Sequence, residues 1–314
     1  MLAKVLTTRK PALLDPTTTT VRTFAITLGK DRNKINTIET TVIEPKTTAT
    51  PNKPWLLCLS GMGDNSAAYR HIAPKLAAAG YVCIVPDYRG TGLSSAHFQT
   101  SDYAPELIAQ EDAEAVLIYE AKTKEALEQR GVVIIAHSFS PASATWMAAD
   151  RASQDYVRGL VMIGAFARAP PMNFAMRLLI RSLFAWPWGA SAWGAFYKGL
   201  YKSPKTDAAD LAEHVADLVA SLDFEHLKAL RAMAFASKDA CNNRLGEVKC
   251  PVLVIYGSAD PDFANPADEA AFVASKLTSS STTIKMVQGA GHYPHVEDPA
   301  ECLDAIYAFI ESRL

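Results

Sequence analysis

The chain has 314 residues, 49% of them hydrophobic, which is enough to bury a large core in one domain or in a domain with an insertion. Its 31 basic and 33 acidic residues give a formal net charge of −2. This balance supplies no electrostatic attraction to nucleic acid or to an anionic membrane, so neither partner is expected. A small-molecule substrate is the expected partner, and homo-oligomerisation is left open.

The cysteines indicate a reducing environment and no metal site. They are scattered along the sequence without paired ligand spacing, at Cys58, Cys83, Cys241, Cys250 and Cys302. The first two lie within apolar, strand-like runs, which favours buried free thiols over disulfides or zinc ligands. We therefore expect no metal and no cofactor.

The N-terminal segment has neither the continuous apolar core nor the cleavage site of a secretory signal. Its first 14 residues lack acidic side chains and carry Lys4, Arg9 and Lys10, so organelle targeting is the weaker alternative to a cytoplasmic location. Because threonines dominate the stretch that follows, residues 1–20 are predicted to form a flexible tail.

Short apolar runs alternate with helical patterns along most of the chain. A leading hairpin is predicted at residues 21–28 and 36–42, and further strands at residues 55–59, 81–86, 132–135, 159–163, 251–256 and 282–287. Helices are predicted at residues 66–79, with Ser66 as the cap, and at residues 105–124, 142–149, 266–276 and 300–313. This alternation predicts an α/β fold with a mostly parallel sheet covered by helices on both faces.

One long stretch interrupts the alternation. No strand-like run occurs from Arg168 to Glu247, and this stretch is far longer than an ordinary connection between two strands. Helices are predicted there at residues 172–185, 190–201, 206–222 and 224–238. We therefore divide the chain into a tail (residues 1–20), a core (residues 21–168 and 248–314) and an inserted helical cap (residues 169–247).

The stretch VVIIAHSFSPASATW, residues 132–146, places a serine between a predicted strand and a predicted helix. Ser138 stands at the apex of the turn, flanked by the small residues Ala136 and Ser140. Small neighbours suit a tight turn with unfavourable dihedral angles, and Pro141 suits the first helical turn, where a backbone N–H has no intrahelical acceptor. A nucleophile on such a turn is lifted above the sheet edge into an open site.

Two further polar residues, Asp260 and His292, each follow one of the last two predicted strands. Ligands of open α/β sheets bind at this edge, beyond the carboxyl ends of the strands. A serine hydroxyl is a poor nucleophile unless a base takes its proton; histidine is a base of matching pKa, and a carboxylate fixes its tautomer. The predicted catalytic residues are therefore Ser138, Asp260 and His292, with Asp262 as the rival acid.

Three motifs together resemble those of the α/β hydrolase family. They are the AHSFS turn around Ser138, the YGSADPDF loop and the GAGHYPHVEDP loop, which follow the order Ser, Asp, His of that fold. The resemblance implies an α/β-hydrolase fold with an inserted cap and the activity of an esterase-like serine hydrolase. It also places the acid three residues after Gly257, at the end of the strand, which selects Asp260.

The resemblance further implies an oxyanion hole made of backbone N–H groups. The donors would be Phe139, directly after the nucleophile, and Met62, in the SGMG loop after the strand at residues 55–59. Such donors stabilise the negative charge of a tetrahedral intermediate. Ser60 stands where many relatives have a histidine, so the bracing of this loop differs from theirs.

The predicted cap carries an aromatic stretch without charged side chains, residues 182–197. It is shorter than the roughly 20 residues of a membrane span, and Pro187 and Gly189 interrupt it. Its rings either line an apolar substrate pocket or pack the cap onto the sheet, and interfacial lipid contact is a third alternative. The candidate pocket residues are Trp186, Trp188, Trp193, Phe196 and Tyr197.

The predicted reaction is hydrolysis of a small to medium, apolar carboxylic ester, lactone or thioester through an acyl-serine intermediate. A serine at the apex disfavours relatives with an acid nucleophile, such as epoxide hydrolases and dehalogenases. Carbon–carbon bond hydrolases and cofactor-free perhydrolases use the same triad and are alternatives among enzymes. A small-molecule receptor of this fold with little turnover is the alternative of another class, since such receptors resemble this chain at Ser140.

Overall fold

The computed structural model describes residues 1–31, 34–46, 53–168, 173–278 and 281–313. Its central element is a sheet of eight strands, each of which overlaps a run predicted from the sequence. The strands are β1 (Thr19–Asp31), β2 (Lys34–Pro45), β3 (Trp55–Leu59), β4 (Cys83–Asp87), β5 (Val132–His137), β6 (Val157–Ile163), β7 (Val252–Gly257) and β8 (Thr282–Val287).

The strand order is β1-β2-β4-β3-β5-β6-β7-β8. β1 and β2 form the predicted antiparallel hairpin, β2 pairs antiparallel with β4, and the remaining pairs are parallel. The prediction of a mostly parallel sheet is therefore confirmed. The carboxyl ends of β3, β5, β7 and β8 meet at one edge, which brings together the loops that follow them.

The central strands are apolar throughout because both faces of the sheet are covered. All six residues of β5 are buried. Val132, Ile134 and Ala136 belong to one apolar cluster, whereas Val133 and Ile135 belong to another. Successive side chains of a strand point to opposite faces, so an unbroken apolar run packs against two separate cores.

The helices lie on both sides of the sheet and in the long connection after β6. The α-helices are α1 (Leu2–Lys4), α2 (Ala73–Ala78), α3 (Pro105–Leu107), α4 (Glu114–Ala121), α5 (Lys124–Arg130), α6 (Pro141–Ala149), α7 (Phe174–Leu183), α8 (Gly189–Gly199), α9 (Ala208–Ser221), α10 (Phe224–Phe235), α11 (Asp239–Asn242), α12 (Pro266–Lys276), α13 (Pro294–Glu297) and α14 (Pro299–Arg313). Short 3-10 turns lie at Pro11–Leu13, Ser66–Tyr69, Thr100–Tyr103 and Leu245–Glu247, and π-helical segments at Val5–Arg9 and Ile108–Ala113.

One predicted helix is broken in two. In place of a continuous helix over residues 66–79, a 3-10 turn is followed by α2. Pro74 lacks the backbone N–H that a continuous helix would need, but it fits the first turn of a new helix. The cap is Asn65, whose side chain accepts a hydrogen bond from the N–H of Ala67 at 2.9 Å, and not Ser66 as predicted.

Helices α7 to α10 correspond to the four helices predicted for the insertion. Their inner faces form an apolar cluster that contains Trp193, Tyr197 and Leu230 together with Tyr293 from the loop after β8. The inserted helices therefore pack over the carboxyl edge of the sheet. None of the helices in the described ranges is long and apolar enough to cross a membrane.

Residues 1–20 differ from the flexible tail that their composition predicts. Leu2 and Leu6 are fully buried in the apolar cluster on one face of the sheet. The N–H of Leu2 donates to Oγ of Ser66 at 3.1 Å, and Lys10 forms an ion pair with Asp210 of α9. The difference lies in the two leucines. Burial of their side chains offsets the conformational entropy that is lost when this threonine-rich segment becomes ordered.

Replacing Leu6 by alanine is expected to lower the free energy of unfolding by about 2–5 kcal/mol, because it removes a fully buried side chain. Thr8→Ala, at an exposed position of the same segment, is expected to change it by less than about 0.5 kcal/mol. Urea denaturation followed by circular dichroism measures both. Equally small effects would contradict the packing of this segment.

Candidate active site

Ser138 lies at the turn between β5 and α6, where its backbone adopts a φ of +60°. This left-handed conformation costs a residue with a Cβ atom on the order of 1–3 kcal/mol. The buried strand before it and a hydrogen bond from the Ser138 N–H to the carbonyl of Ile163, at 2.8 Å, hold the turn in place. His137 and Phe139 are buried whereas Ser138 is partly exposed, so the turn presents this one side chain.

His292, in the loop after β8, joins Ser138 to Asp260. Its Nε2 atom lies 2.9 Å from Oγ of Ser138, and its Nδ1 atom lies 2.7 Å from Oδ2 of Asp260. Both His292 and Asp260 are buried. If Nδ1–H is donated to the carboxylate, Nε2 is the acceptor for the serine hydroxyl. The structure thus brings the three predicted catalytic residues together in the order that nucleophilic catalysis requires.

Asp262, the rival acid, lies beside the other nitrogen of His292. Its Oδ2 atom is 3.6 Å from Nε2, too far for a hydrogen bond, and its side chain is 23% exposed. The backbone N–H of Asp262 donates to Oδ1 of Asp260 at 3.0 Å, which helps to orient that carboxylate. Asp260, and not Asp262, is therefore the acid that is hydrogen-bonded to His292.

Asp260, Asp262 and His292 also form a set, within the described ranges, whose ligand atoms lie within 4.8 Å of one another and could approach one metal ion. The contacts with Asp260 and Ser138 already use both ring nitrogens of His292. A metal ion at this position would have to displace one of them. The expectation of a site without metal stays a prediction.

The pKa of His292 reflects opposing effects. Burial of the ring lowers the pKa, but the charge of Asp260 and its hydrogen bond outweigh burial and hold the pKa above the ordinary value of 6.5. In His137, burial lowers the pKa to about 3. The neutral His137 ring lies with Nε2 2.9 Å from the backbone carbonyl of His292, so it can support the histidine loop without adding charge.

The rate of ester hydrolysis is expected to rise with pH. A protonated His292 cannot accept the Ser138 proton, so kcat/KM is low below the pKa of His292 and reaches a plateau above it, with a midpoint above 6.5. Asp262→Asn removes a negative charge beside Nε2 and is expected to move the midpoint to lower pH. The pH profile of kcat/KM for both proteins measures this, and identical midpoints would contradict the electrostatic coupling.

The SGMG loop after β3 passes directly beside the Ser138 turn. A Cβ atom on Gly61 would lie 3.0 Å from Cβ of Ser138 and 2.8 Å from Nδ1 of His137, so this approach requires glycine. The hydroxyl of Ser140 donates to the backbone carbonyl of Ser60 and joins the loop to the turn. This contact braces the loop at Ser60.

The predicted oxyanion-hole donors lie on these two adjoining segments. Met62 follows Gly61, which touches Ser138, and Phe139 follows Ser138 itself. In the part of the chain that the structure describes, the backbone N–H groups of Met62 and Phe139 have no hydrogen-bond acceptor. Both are therefore available to a negatively charged oxygen of a bound substrate.

The cap fixes the SGMG loop through Asp64, a buried carboxylate that the sequence does not distinguish from an ordinary turn residue. Tyr197 donates its hydroxyl to Asp64 at 2.7 Å, and Nε2 of His214 lies 3.1 Å from the same carboxylate. Burial raises the pKa of Asp64, but these partners outweigh burial and hold the pKa below its usual value. The indole N–H of Trp193 donates to the carbonyl of Gly63 at 2.9 Å.

The five aromatic residues predicted for the pocket separate into two groups. Trp193 and Tyr197 are buried, and their polar atoms bind the SGMG loop and Asp64, so they pack the cap onto the core. Trp186, Trp188 and Phe196 are instead 57%, 56% and 44% exposed on the cap. Trp193 and Tyr197 therefore match the alternative in which the rings pack the cap onto the sheet. Among the ring contacts and hydrogen bonds of the described residues, none joins Trp186, Trp188 or Phe196 to Ser138 or His292, so their pocket role stays a prediction.

Two other rings border His292. The centroid of Phe166 lies 5.8 Å from that of His292, and Phe263 lies 4.8 Å from Phe166 and 6.3 Å from His292. Neither residue is predicted from the sequence to belong to the site. Phe166 follows β6, and Phe263 follows Asp262 in the loop after β7. Both strands end at the same edge of the sheet, and this position in the sequence could have identified the two residues.

The comparisons with known proteins agree with this architecture. The bromoperoxidase from Bacillus anthracis is 14% identical, with a TM-score of 0.73 over 92% of this chain and 100% of that chain. A thermophilic esterase from Thermogutta terrifontis is 19% identical, with a TM-score of 0.71 over 93% of this chain and 98% of that chain. An esterase from a Rhodococcus species is 21% identical, with a TM-score of 0.69 over 94% of this chain and 99% of that chain. None of the curated protein sequences matches this chain.

At these identities the solved structures establish a common fold and no more. The sequence itself matches the family described as the alpha/beta hydrolase family over residues 56–305, which is more than half of the chain. That range contains Ser138, Asp260 and His292. The chain therefore belongs to the α/β hydrolase family.

Proposed function

We propose that the protein is a serine hydrolase that cleaves small to medium, apolar carboxylic esters, lactones or thioesters through an acyl-serine intermediate. The observation that carries the proposal is the continuous series of contacts from Asp260 through His292 to Ser138, at 2.7 and 2.9 Å. Membership of the α/β hydrolase family supports hydrolytic chemistry in general.

In the first half of the proposed reaction, Nε2 of His292 takes the hydroxyl proton of Ser138 while Oγ attacks the carbonyl carbon. The carbonyl electron pair moves onto oxygen, where the N–H groups of Met62 and Phe139 stabilise the charge. Asp260 stabilises the protonated His292. His292 then gives its proton to the departing alcohol or thiol as the bond to the carbonyl carbon breaks, and Ser138 is left acylated.

In the second half, a water molecule takes the place of the alcohol. His292 removes a proton from the water as its oxygen attacks the acyl carbon, and the same two N–H groups receive the negative charge again. The tetrahedral intermediate collapses, Ser138 recovers its proton from His292, and the acid product leaves. In each half of the reaction, His292 thus acts first as general base and then as general acid.

The surroundings of the histidine support a largely apolar substrate. Phe166 and Phe263 present ring surface next to His292. Apolar walls with a few placed polar groups are typical of small-molecule sites. These rings would contact hydrocarbon parts of the ester on either side of the carbonyl.

Turnover of short-chain 4-nitrophenyl esters tests the proposal. Repeated turnover at a rate typical of enzymes, on the order of ten per second, is the expected result. Tight ligand binding with turnover slower than about one per minute would instead indicate a receptor of the same fold. Peracid formation from hydrogen peroxide and a carboxylic acid, or cleavage of a diketone, at a higher kcat/KM than any ester would contradict the proposed substrate class.

A further inference from the structure

A lysine of the cap lies beside the candidate active site and has no ion-pair partner among the residues that the structure describes. Lys238 stands between α10 and α11. Its Nζ atom lies 5.3 Å from the ring centroid of Phe139 and 5.9 Å from that of Phe166. Phe139 carries a candidate oxyanion-hole N–H, and the Phe166 ring lies 5.8 Å from that of His292. The ammonium group therefore lies against two rings whose residues adjoin the candidate nucleophile and histidine.

The turn that carries Lys238 is attached to the wall of the site. The carbonyl of Lys238 accepts hydrogen bonds from the N–H groups of Cys241 and Asn242, at 3.1 and 2.8 Å. The side-chain amide of Asn242 donates to the carbonyl of Phe166 at 3.0 Å. The backbone of Lys238 is thus fixed to the same segment whose ring its ammonium group faces.

The ammonium group is partly buried and its hydrogen-bonding capacity is unused. A lysine ammonium has three N–H donors, and within the described ranges that of Lys238 has no hydrogen-bond acceptor and no carboxylate at ion-pair distance. Burial lowers the pKa of Lys238, which the nearby Asp239 opposes. The faces of two phenyl rings attract a cation, but they do not replace an oxygen acceptor. A substrate oxygen would complete this environment.

We propose that Lys238 binds a carboxylate of the substrate, so that the preferred substrates are esters whose acyl chain ends in a negatively charged acid group. This inference rests on the proposed ester hydrolysis and names its substrate class. A charged hydrogen bond of this kind is stronger than one between neutral groups, and a partly buried site screens it less than water does.

Asp262 sets the orientation of such a substrate. Its carboxylate lies 3.6 Å from Nε2 of His292, the atom that delivers a proton to the leaving group, so it repels an anion on the leaving-group side. Lys238 lies instead over the ring of Phe139, whose N–H would bind the carbonyl oxygen. The positive charge of Lys238 and the negative charge of Asp262 together direct the acid group into the acyl half of the site.

The test compares mono(4-nitrophenyl) adipate, which carries a free carboxylate, with its methyl ester, which does not. Wild-type protein is expected to cleave the charged ester with the higher kcat/KM. Lys238→Met is expected to lower kcat/KM for the charged ester by about 10–100-fold, chiefly through KM, and for the neutral ester by less than about threefold. Lys238→Arg, which keeps the charge, is expected to retain most of the preference.

Equal losses for both esters in Lys238→Met, or the absence of a preference in the wild type, would overturn the inference. If Lys238→Met does not fold, Lys238→Gln removes the same charge with a polar side chain and gives the same comparison. Failure of the proposed function is a different result, because the wild type would then turn over neither ester. If only the inference about Lys238 fails, the wild type still cleaves the neutral ester.

Discussion

Replacing Ser138 by alanine is expected to reduce kcat for ester hydrolysis by about 10⁶-fold, which is the size of effect seen when a nucleophile is removed from a cooperating triad. The variant is expected to keep the fold, because the substitution removes only one oxygen, and its contact with His292, from a partly exposed side chain. Steady-state kinetics with a 4-nitrophenyl ester, at a protein concentration high enough to detect residual activity, measures the loss.

Ser140→Ala is the matched control for this experiment. Ser140 lies two residues away on the same turn, and its hydroxyl donates to the backbone carbonyl of Ser60. Loss of that brace is expected to lower kcat by about tenfold or less, the equivalent of one ordinary hydrogen bond. If the two variants lost activity to the same degree, Ser138 would not be the nucleophile.

Replacing Asp260 by asparagine is expected to lower kcat by about 10⁴-fold. The amide offers Nδ1 of His292 a neutral partner and can stabilise the wrong tautomer, so Nε2 no longer accepts the Ser138 proton. The imidazolium formed during the reaction also loses its compensating charge. Asp262→Asn, in contrast, is expected to keep kcat within about tenfold of the wild type, because Asp262 makes no hydrogen bond to the ring.

The two acids are therefore separated by one pair of variants measured under one condition, at a pH on the plateau of the wild-type profile. A loss for Asp262→Asn as large as that for Asp260→Asn would contradict the assignment of the acid. Thermal unfolding of both variants is the control, since Asp260 is buried and its replacement also changes a buried charge pair.

The parts of this structure that the sequence predicts are those encoded by local patterns. Unbroken apolar runs such as β5 identify strands covered on both faces. Ser138, Asp260 and His292 could be found because each follows a strand at one sheet edge, and parallel pairing alone brings such residues together. The choice between Asp260 and Asp262 needed the family resemblance, since both lie in one turn.

The features that the sequence does not predict depend on contacts between distant segments. Leu2 and Leu6 resemble the apolar residues of many disordered ends, and only the cluster around them makes them part of the core. Asp64 follows a glycine loop like any turn residue, yet its partners Tyr197 and His214 come from the cap more than 100 residues later. Nothing in the sequence distinguishes Lys238 from the other lysines, and only the structure shows its ammonium group over two aromatic rings.

Labelling with a fluorophosphonate, read by intact mass and peptide mapping, tests the central claim most directly. The reagent phosphonylates a serine whose proton is removed by a nearby base: Oγ forms a bond to phosphorus as fluoride leaves. We expect one adduct per wild-type chain, located on Ser138, and no adduct on the Ser138→Ala variant. The adduct is expected to form faster as pH rises through the pKa of His292, with a plateau above it. A folded wild-type protein that remains unlabelled, or that is labelled at another residue, would contradict the central claim.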